Sequence, residues 1–317
     1  MADYRFSLAN PDAPARSAPL AHRRRRLHSL RHRDWTPDLL TAPALIAMAA
    51  VMGFPLLYLG YMSLHRWSLI GFAPPRFVAA GNFTALAADD RFVNSLWRTL
   101  YFTALGLASN LPLGLAIALL FDQRFPTRNL LRALMILPMV ATPAAMGLVW
   151  VVMLDPSLGI VRYLFRIVGI ANPPLWLSNP GWVIPTLVGV DAWMWTPMVA
   201  LICMAGLAAL PAEPFEAARV DGASAWQRFR FITFPLLAPT LLIAAMLRVM
   251  DLLKVIDIVY VMTGGGPGHA SETINLYNYL VALSYDRIGY GSSVALVLFA
   301  LVLVCTVALI RFRRAFA

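Results

Sequence analysis

The chain has 317 residues, of which 60% are apolar and only 13% charged, against roughly 45–50% and about 25% in soluble domains. That balance excludes an ordinary water-soluble fold, and six spans of about 20 residues would need only about 120 apolar positions. The net charge of +10 does not indicate nucleic-acid binding, because the basic residues sit in short segments between apolar runs and not on a soluble domain.

Residues 1–37 are polar, proline-punctuated and basic, with Arg23, Arg24, Arg25 and Arg26 followed by Arg31 and Arg33. The first apolar run starts only near Leu39, too late for a signal-peptide core. The segment is therefore expected to be a retained, disordered tail that anchors topology and attracts anionic lipid. Six windows then qualify as spans, at about 39–64, 95–121, 130–154, 182–210, 239–263 and 291–312. The expected fold is all-α and integral to the membrane, with residues 38–317 as one six-helix domain. With the N-terminus inside, seventeen of the 26 basic residues fall in cytoplasmic segments and six in outer loops, so both termini are expected to be cytoplasmic. Cys203 and Cys305 lie within apolar runs and read as small fillers.

Between spans four and five, residues 211–239 read PAEPFEAARVDGASAWQRFRFITFPLLAP. Pro214 suits a first helical turn, Glu213 and Glu216 suit the positive end of the dipole, and Asp221-Gly222 marks a stop. Ser224 and Gln227 have capping-box spacing, so a second short helix is expected from there to a break before Pro235. Alanines at 217, 218, 223 and 225 keep one side thin, which suits docking against another protein.

Span five carries Arg248, Asp251, Lys254 and Asp257 at intervals of three, and span four carries Asp191. Charges at membrane depth must face protein, water or each other. The alternating signs allow a self-paired ladder on one helix, or a lining of a polar pathway. Lys254 follows LRVMDLL and no glycine loop precedes it, so the phosphate-cradling lysine motif is absent and the chain is not expected to hydrolyse ATP. His65 and His269 lack metal-ligand spacing, and no metal site is expected. Gly264, Gly265, Gly266 and Pro267 end span five as a helix stop and flexible turn.

The run Glu216, Ala217, Ala218, Asp221, Gly222, Ala223, continued by Phe229, Ile232, Pro235 and Pro239, resembles the signature loop of the membrane subunits of binding-protein-dependent ABC importers. DAWMWTP from Asp191 and VYVMTGGGPG from Val259 resemble the carbohydrate and polyol branch, of the maltose or glycerol-phosphate permease type. The likeness runs from about Leu39 to the C-terminus.

The resemblance implies the type I ABC importer permease fold in a bacterial cytoplasmic (inner) membrane. It implies a second homologous permease, two ATP-binding subunits that carry ATP and Mg, and an extracytoplasmic solute-binding protein. Glu216, Ala217, Ala218, Asp221, Gly222 and Ala223 would contact the ATP-binding subunit, and the glycine run would lie where the binding protein docks. No cofactor is expected on this chain and no catalytic residue.

A sugar pathway favours rings against C–H faces, which makes Trp193, Trp195 and Tyr260 candidates beside Asp191 and the span-five charges. Trp67, Trp97, Trp176 and Trp182 fall near span ends as interfacial anchors, and Trp150 reads as packing. The alternatives are a secondary carrier, which leaves the 211–239 loop unexplained, and an enzyme acting on lipid-linked sugars, for which Asp89-Asp90 is the only adjacent acidic pair.

Overall fold

A computed structural model describes residues 36–70, 74–123, 125–170 and 172–315; the basic tail lies outside them. The chain divides at Pro55. The described part of the first unit is the beginning of α1 (Thr36–Ser63), with Pro43 near its start. The described residues of the second unit, Leu56–Ala317, are almost wholly helical, the short helices α2 (Gly81–Ala87), α6 (Ile160–Ile167) and α12 (Ile274–Tyr279) included, with one two-stranded ladder among them, β1 (His65–Arg66) and β2 (Arg76–Phe77).

Spans two and four become α3 (Asp90–Asp122) and α7 (Val183–Ala208), and they form the core pair. On α3 the buried face repeats every four residues as Gly106, Asn110, Gly114 and Ala118. Small side chains at this spacing let helix backbones approach closely. A methyl at Gly114 would stand 2.5 Å from Val199, and one at Gly106 would stand 2.7 Å from Leu252. The partners advance together, Asn110 against Asp191 and Gly114 against Val199, so α3 and α7 run parallel. Helix α10 (Phe234–Leu253) runs antiparallel to both, with Leu237 at Gly206, Arg248 at Asp191 and Leu252 at Gly106.

Two expected spans are corrected. Span three is not one helix: α4 (Arg128–Val140) and α5 (Pro143–Met153) meet at 99°. Ala141 and Thr142 are both extended, and at Thr142 this follows from the proline after it, which drives the preceding residue out of the helical region. Span five ends at Leu253, and a separate helix α11 (Asp257–Thr263) follows. Side chains fill the break: Asn275 Nδ2 donates to the Lys254 carbonyl at 2.6 Å, and Thr273 Oγ1 to that of Val255 at 3.0 Å. Irregular backbone at membrane depth requires such partners. Among the described residues five helices are long and apolar enough to cross a membrane, or six if the bent pair counts as one span.

The expected break before Pro235 is also absent. A π turn at Phe229–Thr233 carries the helix from the loop into α10, with the Phe234 N–H bonded to the Phe229 carbonyl five residues back. The wider turn admits a proline that a regular α-helix would reject.

Candidate functional site

The loop after α7 folds into two short helices, α8 (Glu213–Val220) and α9 (Ala225–Arg228). Helix α8 carries Pro214 in its first turn together with Glu213 and Glu216. It ends in a Schellman motif, in which the Ala223 N–H reaches the Ala218 carbonyl at 2.8 Å and the Gly222 N–H reaches that of Arg219 at 3.2 Å. Gly222 has φ +76°, and a Cβ there would meet nothing within 4 Å. Its glycine is required by backbone conformation, not by crowding within this chain.

Ser224 caps α9 in a complete capping box: Gln227 N–H donates to the Ser224 hydroxyl at 3.3 Å, and the Gln227 side chain accepts from the Ser224 N–H at 2.7 Å. The Arg228 guanidinium closes the elbow on the Ala223 carbonyl at 2.6 Å. The knuckle is thus internally rigid, yet its outer face is bare. Glu216, Ala217, Asp221 and Gly222 are exposed and Ala218 and Ala223 half-buried, while Val220 and Trp226 are 88% and 68% exposed.

The four-charge ladder does not form. Arg248 pairs with Asp191 of α7, Nη2 to Oδ2 at 2.5 Å, and both residues are buried. Asn110 Nδ2 donates to the same carboxylate oxygen at 3.2 Å, and Trp195 lies under the guanidinium at 5.7 Å. Lys254 pairs with Asp251 at 3.3 Å, both substantially exposed. Asp257 starts α11, where its charge suits the helix N-terminus. Trp193 and Tyr260 are exposed, edge-on to Trp150 and Tyr279 respectively. The predicted pathway residues therefore separate into an internal pair, Asp191 and Arg248, and an exposed set.

The glycine run is not a loose turn. Gly264 and Gly265 have φ of +57° and +92°, and the Ser271 hydroxyl donates to the Gly266 carbonyl at 2.7 Å. The following Glu272, 1% exposed, receives Arg91 Nε from α3 at 3.0 and 3.1 Å, and His269 Nδ1 lies 2.6 Å away. Nearby, Asp89 caps α3 and accepts from the hydroxyls of Tyr277 and Tyr290 at 2.6 and 2.7 Å. Burial works against the Asp89 carboxylate, but these bonds and the Phe92 and Arg91 N–H groups hold its pKa below the usual value.

Asn110, Arg91 and Glu272 escape the sequence reading, and Asp89, met there only as half of an acidic pair, is the cap of α3. Asn110 had a signal, a polar residue set four from a glycine on either side, whereas Arg91 and Glu272 are 181 positions apart.

The chain matches the family "Binding-protein-dependent transport system inner membrane component" over residues 110–316. It is 35% identical over 282 residues to a trehalose/maltose transport system permease protein of Thermococcus litoralis, covering 87% of this chain and 94% of the relative. It is 32% identical over 280 residues to the sn-glycerol-3-phosphate transport system permease protein of Agrobacterium fabrum, covering 87% and 93%. In fold it is similar to a chain of a bacterial ABC transporter involved in alginate import, with TM-score 0.77 at 21% identity, covering 92% and 99%.

Proposed function

The chain belongs to the inner-membrane components of binding-protein-dependent transport systems, as a multi-pass ABC permease subunit and not an enzyme, and from that premise we propose that its cargo is a sugar, polyol or sugar derivative. The cargo class is supported by its relatives, which are named for trehalose/maltose and sn-glycerol-3-phosphate transport. Family membership sets aside the secondary-carrier alternative.

The observation that carries the mechanism is the exposed, internally capped knuckle continuous with α10. In this reading a second permease and two ATP-binding subunits complete the complex, with ATP and Mg held by the latter. Closure of those subunits moves Glu216–Gln227 as one body. Ala225–Leu253 is one helical run of 29 residues, about 43 Å at 1.5 Å per residue, so displacement at the knuckle is delivered to the Lys254 break. The loaded binding protein docks at the opposite end, near Gly264–Pro267. Trp193, Asp251, Lys254, Asp257 and Tyr260 offer the cargo rings and hydrogen-bonding charges. Asp191 and Arg248 act within the subunit, joining the helix before the knuckle to the helix after it.

The test is Glu216→Lys and Gly222→Asp in the assembled transporter. Both are expected to insert in the membrane while binding-protein-stimulated ATPase and uptake are lost. Normal stimulation and uptake in both would remove the knuckle as the transmission element. Reporter fusions should place Arg128 and Gly222 inside and Pro75, Leu175 and His269 outside; an external Gly222 would overturn the mechanism.

A further inference from the structure

At the end of the second unit away from the knuckle, the β1–β2 ladder sets Arg66 directly opposite Arg76. Like charges in a directly opposed cross-strand pair repel. Neither arginine has a carboxylate partner among the described residues. Both line one cleft together with Arg287, whose guanidinium sits 4.3 Å over the Tyr290 ring.

The acid in this cleft is already engaged. Asp286, at φ 54°, accepts from the N–H groups of Leu69 at 2.8 Å and Ile70 at 3.0 Å, and from the Ser68 hydroxyl. Its oxygens hold the 68–70 segment and make no ion pair with these arginines among the described residues, so one carboxylate charge stands against three guanidinium groups and the cleft keeps a net positive charge.

The cleft also stands at a defined depth. The α1 span ends at Ser63, and the span of α13 (Ile288–Ala315) starts at Ile288. Arg66 and Arg287 therefore lie just beyond two helix ends, at headgroup level. Trp67 lines the same cleft, as expected of an interfacial aromatic. Exposed Leu69, Ile70 and Phe77 stand on the neighbouring surface, where acyl chains would lie. Of the six arginines in outer loops, three converge here, on the side that membrane proteins ordinarily keep poor in positive charge.

We propose that Arg66, Arg76 and Arg287 form a phosphate site filled by the headgroup of an anionic phospholipid of the outer leaflet. Guanidinium forks match phosphate oxygens in paired hydrogen bonds. One phosphate would neutralise the cross-strand arginine pair and tie the end of α1 to the start of α13. An acidic surface of a partner protein is the competing occupant, but the apolar surface and the span-end depth favour lipid.

The experiment uses the assembled transporter in mild detergent, titrated with phosphatidylglycerol or phosphatidylcholine and read by native mass spectrometry. The variant carrying Arg66→Gln, Arg76→Gln and Arg287→Gln is compared with the triple lysine variant, which keeps the charge and controls for assembly. Phosphatidylglycerol retention is expected to fall about tenfold or more in the glutamine variant and by less in the lysine variant, which keeps the charge but not the paired hydrogen bonds. Phosphatidylcholine retention should hardly change.

Equal phosphatidylglycerol retention in wild type and the glutamine variant would overturn the proposal. So would unchanged lipid retention with lost stimulation by the binding protein, which would make the cleft a protein dock. Inorganic phosphate is the third probe. If it stabilises wild type against heat but not the glutamine variant, while lipid retention is equal in the two, the site belongs to the free anion and the lipid assignment falls.

Discussion

Glu272 and Glu216 mark two regions that treat charge in opposite ways. Glu272 is buried and held by Arg91 and His269, whereas Glu216 is exposed on the knuckle and has no ion pair among the described residues. The same contrast extends around each. Near the glycine run, Asp89 bonds Tyr277 and Tyr290 in distant parts of the chain. In the knuckle the hydrogen bonds are local, closing the elbow on itself and leaving the outer face free. One region is locked from within; the other is rigid but unfinished, as a surface must be if a separate subunit is to complete it.

The sharpest way to break that comparison is to take a charge from the locked class. Arg248→Met leaves the Asp191 carboxylate buried and unpaired, which should cost about 3–5 kcal/mol and lower complex yield. Adding Asp191→Asn should restore part of the loss, and thermal unfolding of the purified complex reads both. Absence of rescue would show that the pair is not what stabilises the α7–α10 contact.

Next in size, Arg91→Met strands Glu272 behind the glycine run. A loss of about 1–3 kcal/mol is expected from the orphaned acceptor, together with weaker docking of the binding protein, measurable as a raised concentration for half-maximal ATPase stimulation.

A pH dependence sharpens the same region. The folded Asp89 carboxyl lies below its ordinary value, so its contribution to stability is complete above the unfolded value of about 3.9 and fades as pH falls through the lower folded value. The difference in thermal midpoint between wild type and Asp89→Asn should therefore be constant near neutrality and shrink below about pH 4. A difference that grows on acidification would reverse the sign.

Lys254→Met should have the smallest effect on assembly, within about 1 kcal/mol, since its pair with Asp251 is exposed. Uptake is the informative readout here, because a large transport defect in a stable complex would place Lys254 on the cargo path.

The helical, membrane-spanning class was legible because hydropathy over a window of about 20 residues is a local property. The knuckle was legible for a similar reason: Pro214, Gly222 and the Ser224–Gln227 box act within a few residues of themselves. Where the reading failed at span five and its charge ladder, the deciding partner was remote. The break after Leu253 is sealed by Thr273 and Asn275, and a three-residue spacing invites a ladder only if the helix continues through it.

What the sequence determined by itself was therefore the solvent, the approximate spans and the self-capped elbow, all set by short-range sterics, hydrogen bonding and transfer free energy. Tertiary structure alone decided that Arg248 answers Asp191 rather than Asp251, that Glu272 answers Arg91, and that Arg66 and Arg76 oppose each other beside Arg287. Charge pairing depends on distance in space, and in the two ion pairs the bundle brings together side chains that chain order separates by 57 and 181 positions.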